Sequence, residues 1–266
     1  MYNDLKEAKT KDVHGYFSVM TKGNGKRLTN SPQGKLTKEV IKAKNEAGDL
    51  PLIYTEWNSN ATITYEGNDC EHTSAFIVKT IIDNSGLVDG YPFWTFSDIF
   101  EELSFFGNKP FSGSFGMLNI NGIPKPSFWA FKLLSKLGTE RYDILSETTS
   151  ETVETAVFRK NNIIQIMVYN QQMPGGEILK EEVDIVLTGI DEVSQVVIDR
   201  INKFYCNPKK VWIEMGAPEY LTEKKVEYIK EKSKLKGETL EYNFSQGKLI
   251  LKTEIEKQEV ALIEIV

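Results

Sequence analysis

The amino-acid sequence predicts an α/β region followed by an all-β region, and two observations carry that reading. Up to about residue 139, helix-like and strand-like segments alternate in the rhythm of βα units. From about residue 140 the apolar period falls to two, with turn residues between the runs, as in the antiparallel strands of a β-sandwich. Two domains are therefore expected, 1–139 and 140–266.

In the first region a helix is expected from Leu36, capped by Thr37, with Val40, Ile41 and Ala47 as its apolar stripe and Gly48 at its end. Pro51 stops it. The short apolar run Leu52 to Tyr54 leads into Thr55, Glu56, Trp57 and Asn58, as a buried parallel strand runs into its loop. A second helix is expected from Thr73, with Phe76, Ile77, Thr80 and Ile81 on one face. Tyr91 to Phe96 reads as another strand after the turn at Asn84 to Gly86. Gly107 to Gly122 reads as a long loop. Pro126 suits a first helical position, and Ala130, Leu133, Leu134 and Leu137 follow at helical spacing to Gly138.

In the second region Val153, Thr155 and Val157, then Ile164, Ile166 and Val168, then Leu249, Leu251, Thr253 and Ile255 alternate with polar residues. Asn161-Asn162, Pro174-Gly175-Gly176 and Gln246-Gly247 supply turns. Thr222 to Lys234 breaks the pattern as a charged helix capped by Thr222, with Val226 and Ile229 inward.

Composition excludes several function classes. With 32 Lys and Arg against 38 Asp and Glu, net charge -6, there is no basic footprint for nucleic acid. Cys70 and Cys206 stand far apart, so neither a disulfide framework nor a CxxC motif is available, and two unpaired thiols are expected. The segment Met1 to Asp12 alternates charges where a secretory signal needs an apolar stretch, and no segment reaches membrane-spanning length, so the expected location is cytoplasmic. His14 and His72 lack neighbours at metal-ligand spacing, and there is no Gly-rich phosphate loop, so neither metal nor cofactor is expected.

Chemistry is expected around Glu56. Folds with parallel strands place catalysis at the strands' C-terminal ends, and Glu56 stands at such an end. Alone, Thr-Glu-Trp-Asn is a weak signal that favours a structural or exposed glutamate. The next strand runs into Trp94-Thr95-Phe96-Ser97-Asp98-Ile99-Phe100-Glu101-Glu102, which puts an aromatic residue and several carboxylates on the same rim. Aromatic faces stack against the C–H side of a pyranose, and carboxylates accept hydrogen bonds from its hydroxyls. The other reading of the segment is that Trp94 and Phe96 are core and the two glutamates solvated.

Leu52 to Asn58, Trp94 to Glu102, Phe115-Gly116 and Ile123-Pro124-Lys125-Pro126-Ser127-Phe128-Trp129-Ala130-Phe131 resemble successive landmarks of glycoside hydrolase family 39. The family includes β-xylosidases and α-L-iduronidases. Ile198-Asp199-Arg200, Asn207-Pro208 and Trp212 to Pro218 are similar to its accessory β-sandwich.

The resemblance implies the last strands of a (β/α)8 barrel followed by that sandwich, and double-displacement hydrolysis of xylosides with retention. Glu56 would be the nucleophile. Trp94, Glu101, Glu102 and Asn58 would be substrate-binding, with Asn58 and Thr55 orienting Glu56. Val13 to Phe17 would supply the sixth barrel strand, and His14 a subsite histidine. His72 is expected at the surface.

The resemblance also departs from the family pattern. The family's acid/base belongs to an Asn-Glu pair well upstream of the nucleophile strand, and the one upstream pair here, Asn45-Glu46, falls near the end of a helix, so it is assigned no role. The expected partners are a xylose-containing saccharide together with a missing N-terminal barrel portion or a second copy of the chain. A non-catalytic sugar-sensing domain from an arabinose-operon-type regulator is the competing reading.

Overall fold

The computed structural model describes residues 11–16, 20–22, 26–28, 34–61, 64–99, 109–146 and 150–266. The α/β layer holds strands β1 (Lys11–Tyr16), β2 (Met20–Lys22), β3 (Lys26–Leu28) and β4 (Leu52–Asn58), with helices α1 (Lys35–Ala47), α2 (Glu71–Asp83) and α3 (Pro126–Leu134). β1 and β4 pair in parallel. The segment 89–94 runs along the far side of β4: Asp89 N donates to Leu52 O at 2.8 Å, Tyr54 N to Gly90 O at 2.9 Å and Trp94 N to Trp57 O at 2.9 Å. Among the described residues these strands do not close into a barrel.

Helix α1 buries Leu36, Val40, Ala43 and Ala47, one residue per turn along a single face. Ile41, expected inward, is exposed. The expected cap is also displaced: Gly34 is the N-cap, and Thr37, inside the first turn, donates to Asp83 Oδ2 at 3.5 Å. Helix α2 begins at Glu71, and Thr73 sits in its first turn, donating to Gly67 O at 2.8 Å. This helix is buried on most of its circumference because it lies between two layers.

The second of those layers is a six-stranded sheet. Its strands are β5 (Glu140–Tyr142), β6 (Val153–Lys160), β7 (Ile163–Asn170), β9 (Val196–Ile201), β10 (Glu238–Thr239) and β13 (Val260–Ile265), in the order β10-β9-β13-β7-β6-β5. A three-stranded sheet, β11-β12-β8, joins β8 (Glu181–Thr188), β11 (Tyr242–Ser245) and β12 (Lys248–Ile255). Helices α4 (Pro208–Glu214) and α5 (Glu223–Lys232) interrupt the chain between β9 and β10. Thr222 is the N-cap of α5, as the sequence predicts, although its side chain makes no capping bond.

Burial sorts the strands by layer. β8 alternates half-buried and exposed, since one of its faces meets solvent. β7 is buried throughout its last six residues. Ile166 and Val168 pack against Leu249 and Leu251 in the core between the two sheets. Met167 and Tyr169, pointing the other way, join Trp57, Phe76, Ile77 and Leu133 in the core against the helices. A period of two locates only the first of these faces, because the opposite face is covered by α2 and α3.

Polar contacts fix the seam between helices and sheet. Lys136 Nζ stands 2.5 Å from Asp199 Oδ2 and 3.3 Å from Glu264 Oε2. Lys79 Nζ stands 2.5 Å from Glu154 Oε1, whose other oxygen accepts from Tyr169 Oη at 3.1 Å. His72, expected at the surface, is buried in this seam, facing the Gln258 side chain and the Gln172 backbone.

Gly138 proves to be more than a helix end. Helix α3 stops at Leu134, and a Cβ at Gly138 would lie 1.8 Å from Arg159 O on β6. Backbone cannot yield as a side chain can, so Gly138→Ala is expected to destabilise by about 3 kcal/mol. A lowered urea midpoint at unchanged m-value is the expected result, and an unshifted midpoint would show that the α3–β5 connection can relax.

Candidate active site

Glu56 owes its direction to an irregularity in β4. Val13 pairs with Tyr54 and His14 with Glu56, so Thr55 is an extra residue without an opposite number on β1. Before the bulge Leu52 and Tyr54 face the helices. After it Trp57 does so, three residues beyond Tyr54 rather than two. Trp57 stacks on Tyr91 at 4.6 Å between ring centroids and donates to Tyr91 O at 3.0 Å. By alternation from Trp57, Glu56 turns to the opposite face of the sheet, where it is half-buried, while Thr55 at the bulge is exposed.

Asn58 links the ends of two neighbouring segments. Fully buried, it donates from Nδ2 to Trp94 O and accepts from Ser59 N at 2.6 Å. Phe93 packs into the helix-side core against Trp57 and Phe131, so the neighbouring Trp94, half-buried, is directed to the other side. Phe96 is exposed. The reading in which both Trp94 and Phe96 are core residues therefore does not hold. The peptide Trp94-Thr95 is cis.

Beyond Trp94 the chain is held by the loop 113–118. Thr95 N donates to Phe115 O at 3.2 Å, Met117 N to Thr95 O at 2.9 Å and Leu118 N to Phe96 O at 3.0 Å. Beneath these bonds lies Lys125, wholly buried, with Nζ 2.7 Å from Asp69 Oδ1, 2.9 Å from both oxygens of Asp98 and 2.9 Å from Ser114 O. Burial, only partly offset by the Lys125 ammonium, pushes the Asp98 carboxyl up to about 6. Sequence reasoning missed this cluster. Its members are scattered over 57 positions, and the one available signal was a lysine between two prolines at a helix start.

The other expected site residues are placed unevenly. The backbone of His14 lies opposite Glu56 across the β1–β4 pair. Glu101 and Glu102 lie outside the described residues. Asn45 and Glu46 are exposed near the end of α1. Among the described residues no cluster of His, Cys, Asp or Glu could hold a metal ion, and no helix is long and apolar enough to cross a membrane.

The described residues thus combine an α/β layer, a carboxylate near the end of a parallel strand and two packed antiparallel sheets. The chain belongs to glycosyl hydrolase family 39, whose family model matches residues 13–249. It is 41% identical over 216 residues to a β-xylosidase of Caldicellulosiruptor saccharolyticus, covering 81% of this chain and 44% of that protein. A β-xylosidase of Geobacillus stearothermophilus is 33% identical over 218 residues, covering 81% of this chain and 41% of that protein. The chain thus spans less than half the length of these relatives. Its fold is similar to that of a monomeric β-xylosidase from Caulobacter crescentus, at a TM-score of 0.74 and 21% identity over 99% of this chain and 58% of the other.

Two buried groups set opposing pH dependences. Asp98, raised to about 6, binds its proton more tightly folded than unfolded, so its contribution to stability is full at low pH and is lost as pH rises through about 6. His72 is pushed down by burial to about 4, so its contribution is full above its ordinary 6.5 and is lost as pH falls through about 4. Each amounts to roughly 3 kcal/mol. Relative to the unsubstituted chain, His72→Gln should gain stability on acidification from pH 6 to 4, and Asp98→Asn should lose it. Urea unfolding across this range checks both, and parallel pH profiles for the three proteins would rule the assignments out.

Proposed function

We propose that the chain is the distal part of a retaining β-xylosidase-like glycoside hydrolase. In this reading residues 1–139 carry the last strands of a (β/α)8 barrel and residues 140–266 the accessory sandwich. The observation that carries it is the bulge at Thr55, which turns Glu56 away from the helix-side core on a strand exit that Asn58 ties to Trp94.

Glu56 is the nucleophile. Its carboxylate attacks the anomeric carbon and displaces the leaving group to give a glycosyl-enzyme ester, which water then cleaves. Retention requires a second carboxyl roughly 5 Å away, first as acid and then as base. The reading places that group outside the residues assigned here. Trp94 forms the wall of the sugar subsite, Glu101 and Glu102 accept hydrogen bonds from hydroxyls, and His14, opposite Glu56 in register, adds a polar group on the next strand. Asn58 acts on the Trp94 carbonyl, so its role is to set the spacing between the Glu56 and Trp94 segments.

An activated 2-deoxy-2-fluoro β-xyloside with a dinitrophenolate leaving group needs no acid, and so isolates the first chemical step. Intact mass after incubation should show one added fluoroxylosyl group, mapping to Glu56, and Glu56→Gln should take none. Labelling that persists in Glu56→Gln would overturn the nucleophile assignment. An unlabelled parent chain would instead favour a sugar-binding region without hydrolytic chemistry.

A further inference from the structure

Lys125 occupies a position whose energetics ask for a reason. An ammonium and two carboxylates in a dry site are weak contributors to stability, since apolar residues of similar volume often do as well or better. This cluster nevertheless satisfies its charges closely. The ammonium uses its donors on Asp69, Asp98 and the Ser114 carbonyl. Asp69 Oδ2 accepts from Gly113 N at 2.7 Å, and Asp98 Oδ1 from Gly116 N at 2.7 Å. The approach at Gly116 is so close that a Cβ there would meet the Ser97-Asp98 backbone at 2.2 Å.

Each group in the cluster belongs to a segment of the proposed sugar-binding rim. Asp69 lies in the connection from β4 to α2. Asp98 ends the Trp94 segment. Gly113, Ser114 and Gly116 belong to the loop that pairs with that segment. A relay of side-chain amides runs in parallel. Asn60 Nδ2 donates to Asn68 Oδ1 at 2.6 Å, and Asn68 Nδ2 to Gly113 O at 2.7 Å, which joins the exit of β4 to the same loop.

We infer that Lys125, with Asp69 and Asp98, is a positioning group for the sugar subsite, fixing the Trp94–Asp98 segment and the Gly113–Leu118 loop relative to the strand that carries Glu56. The inference rests on the proposed function. A directional three-way ion cluster holds three segments in one register, where an apolar plug would let them slide. Lys125 acts through Trp94 and touches no substrate.

The test compares the parent chain with Lys125→Met, which keeps the stem and removes the charge. It measures amide hydrogen exchange by mass spectrometry and labelling kinetics with the dinitrophenyl 2-deoxy-2-fluoro β-xyloside. Exchange over 94–98 and 113–118 should quicken about tenfold while β7 and β13 keep their protection, and the half-saturating inhibitor concentration should rise by about the same factor with a nearly unchanged limiting rate. Unchanged exchange in the two segments would overturn the inference, as would uniform loosening of the whole chain or a fall in limiting rate alone. Should Lys125→Met not fold, the charge-free set Asp69→Asn, Asp98→Asn, Lys125→Met takes its place with the same expected outcomes. If the parent chain takes no label, the hydrolase reading fails, and the exchange pattern alone then decides: local loosening upholds the role of Lys125, and uniform or absent change removes it.

Discussion

The burial of one sheet on both faces is the constraint from which the remaining architecture follows. β7 and β13 are central strands of the six-stranded sheet, and their side chains point alternately into two separate cores. Ile166, Val168, Ala261 and Ile263 meet the three-stranded sheet, whereas Met167, Tyr169, Val260 and Leu262 meet α2 and α3. Removing either layer would expose an apolar sheet face, so the helices that carry the rim loops and the sandwich are parts of one packed body. The polar groups at that seam, Lys79 with Glu154 and Lys136 with Asp199, are directional pairs set at the edge of an apolar contact, where they fix register more than they add stability.

The same contact governs the rim. Trp57, Phe76, Tyr91 and Phe93 form an aromatic group under the exits of β4 and the neighbouring segment, and these rings join the core that Met167 and Tyr169 complete from the sheet side. The exits are thus set on a packed floor. Above that floor the chain changes materials. The loop residues 59–61, 64–69 and 109–125 hold together through amides, carboxylates and one ammonium, because irregular backbone must satisfy its N–H and C=O groups locally.

Much of this was legible in the sequence, and the limits have physical causes. Alternation located β6, β7 and β12, and Asn161-Asn162 and Gln246-Gly247 marked turns whose left-handed residues, Asn161, Gln246 and Gly247, bear the reading out. Pro126 marked the start of α3. The expected strand Tyr91 to Phe96 is not a regular one: its bridge to β4 falls just before it, at Gly90, and within it Trp94 N bonds to Trp57 O. Thr37 looked like a cap because a hydroxyl before an apolar stripe usually is one. The chain instead turns at Gly34 with positive φ, and Thr37 bonds across to α2. His72 looked exposed because charged neighbours surround it in sequence, while the residues that cover it arrive from Gln172 and Gln258. Of the site, the strand exit and its carboxylate could be read from local pattern. The ion cluster could not, because a long-range polar contact leaves no periodicity.

The bulge at Thr55 means that the aim of Glu56 is set by counting. Leu52, Tyr54 and Trp57 are all committed to the helix-side core, and the bulge that absorbs the one surplus residue between Tyr54 and Trp57 is what leaves Glu56 on the opposite face. Were Thr55 paired in regular alternation, Glu56 would share the face of Tyr54 and Trp57 would leave the core. The packing of Tyr54 and Trp57 into one core thus enforces the bulge, and the bulge sets the aim of the carboxylate between them.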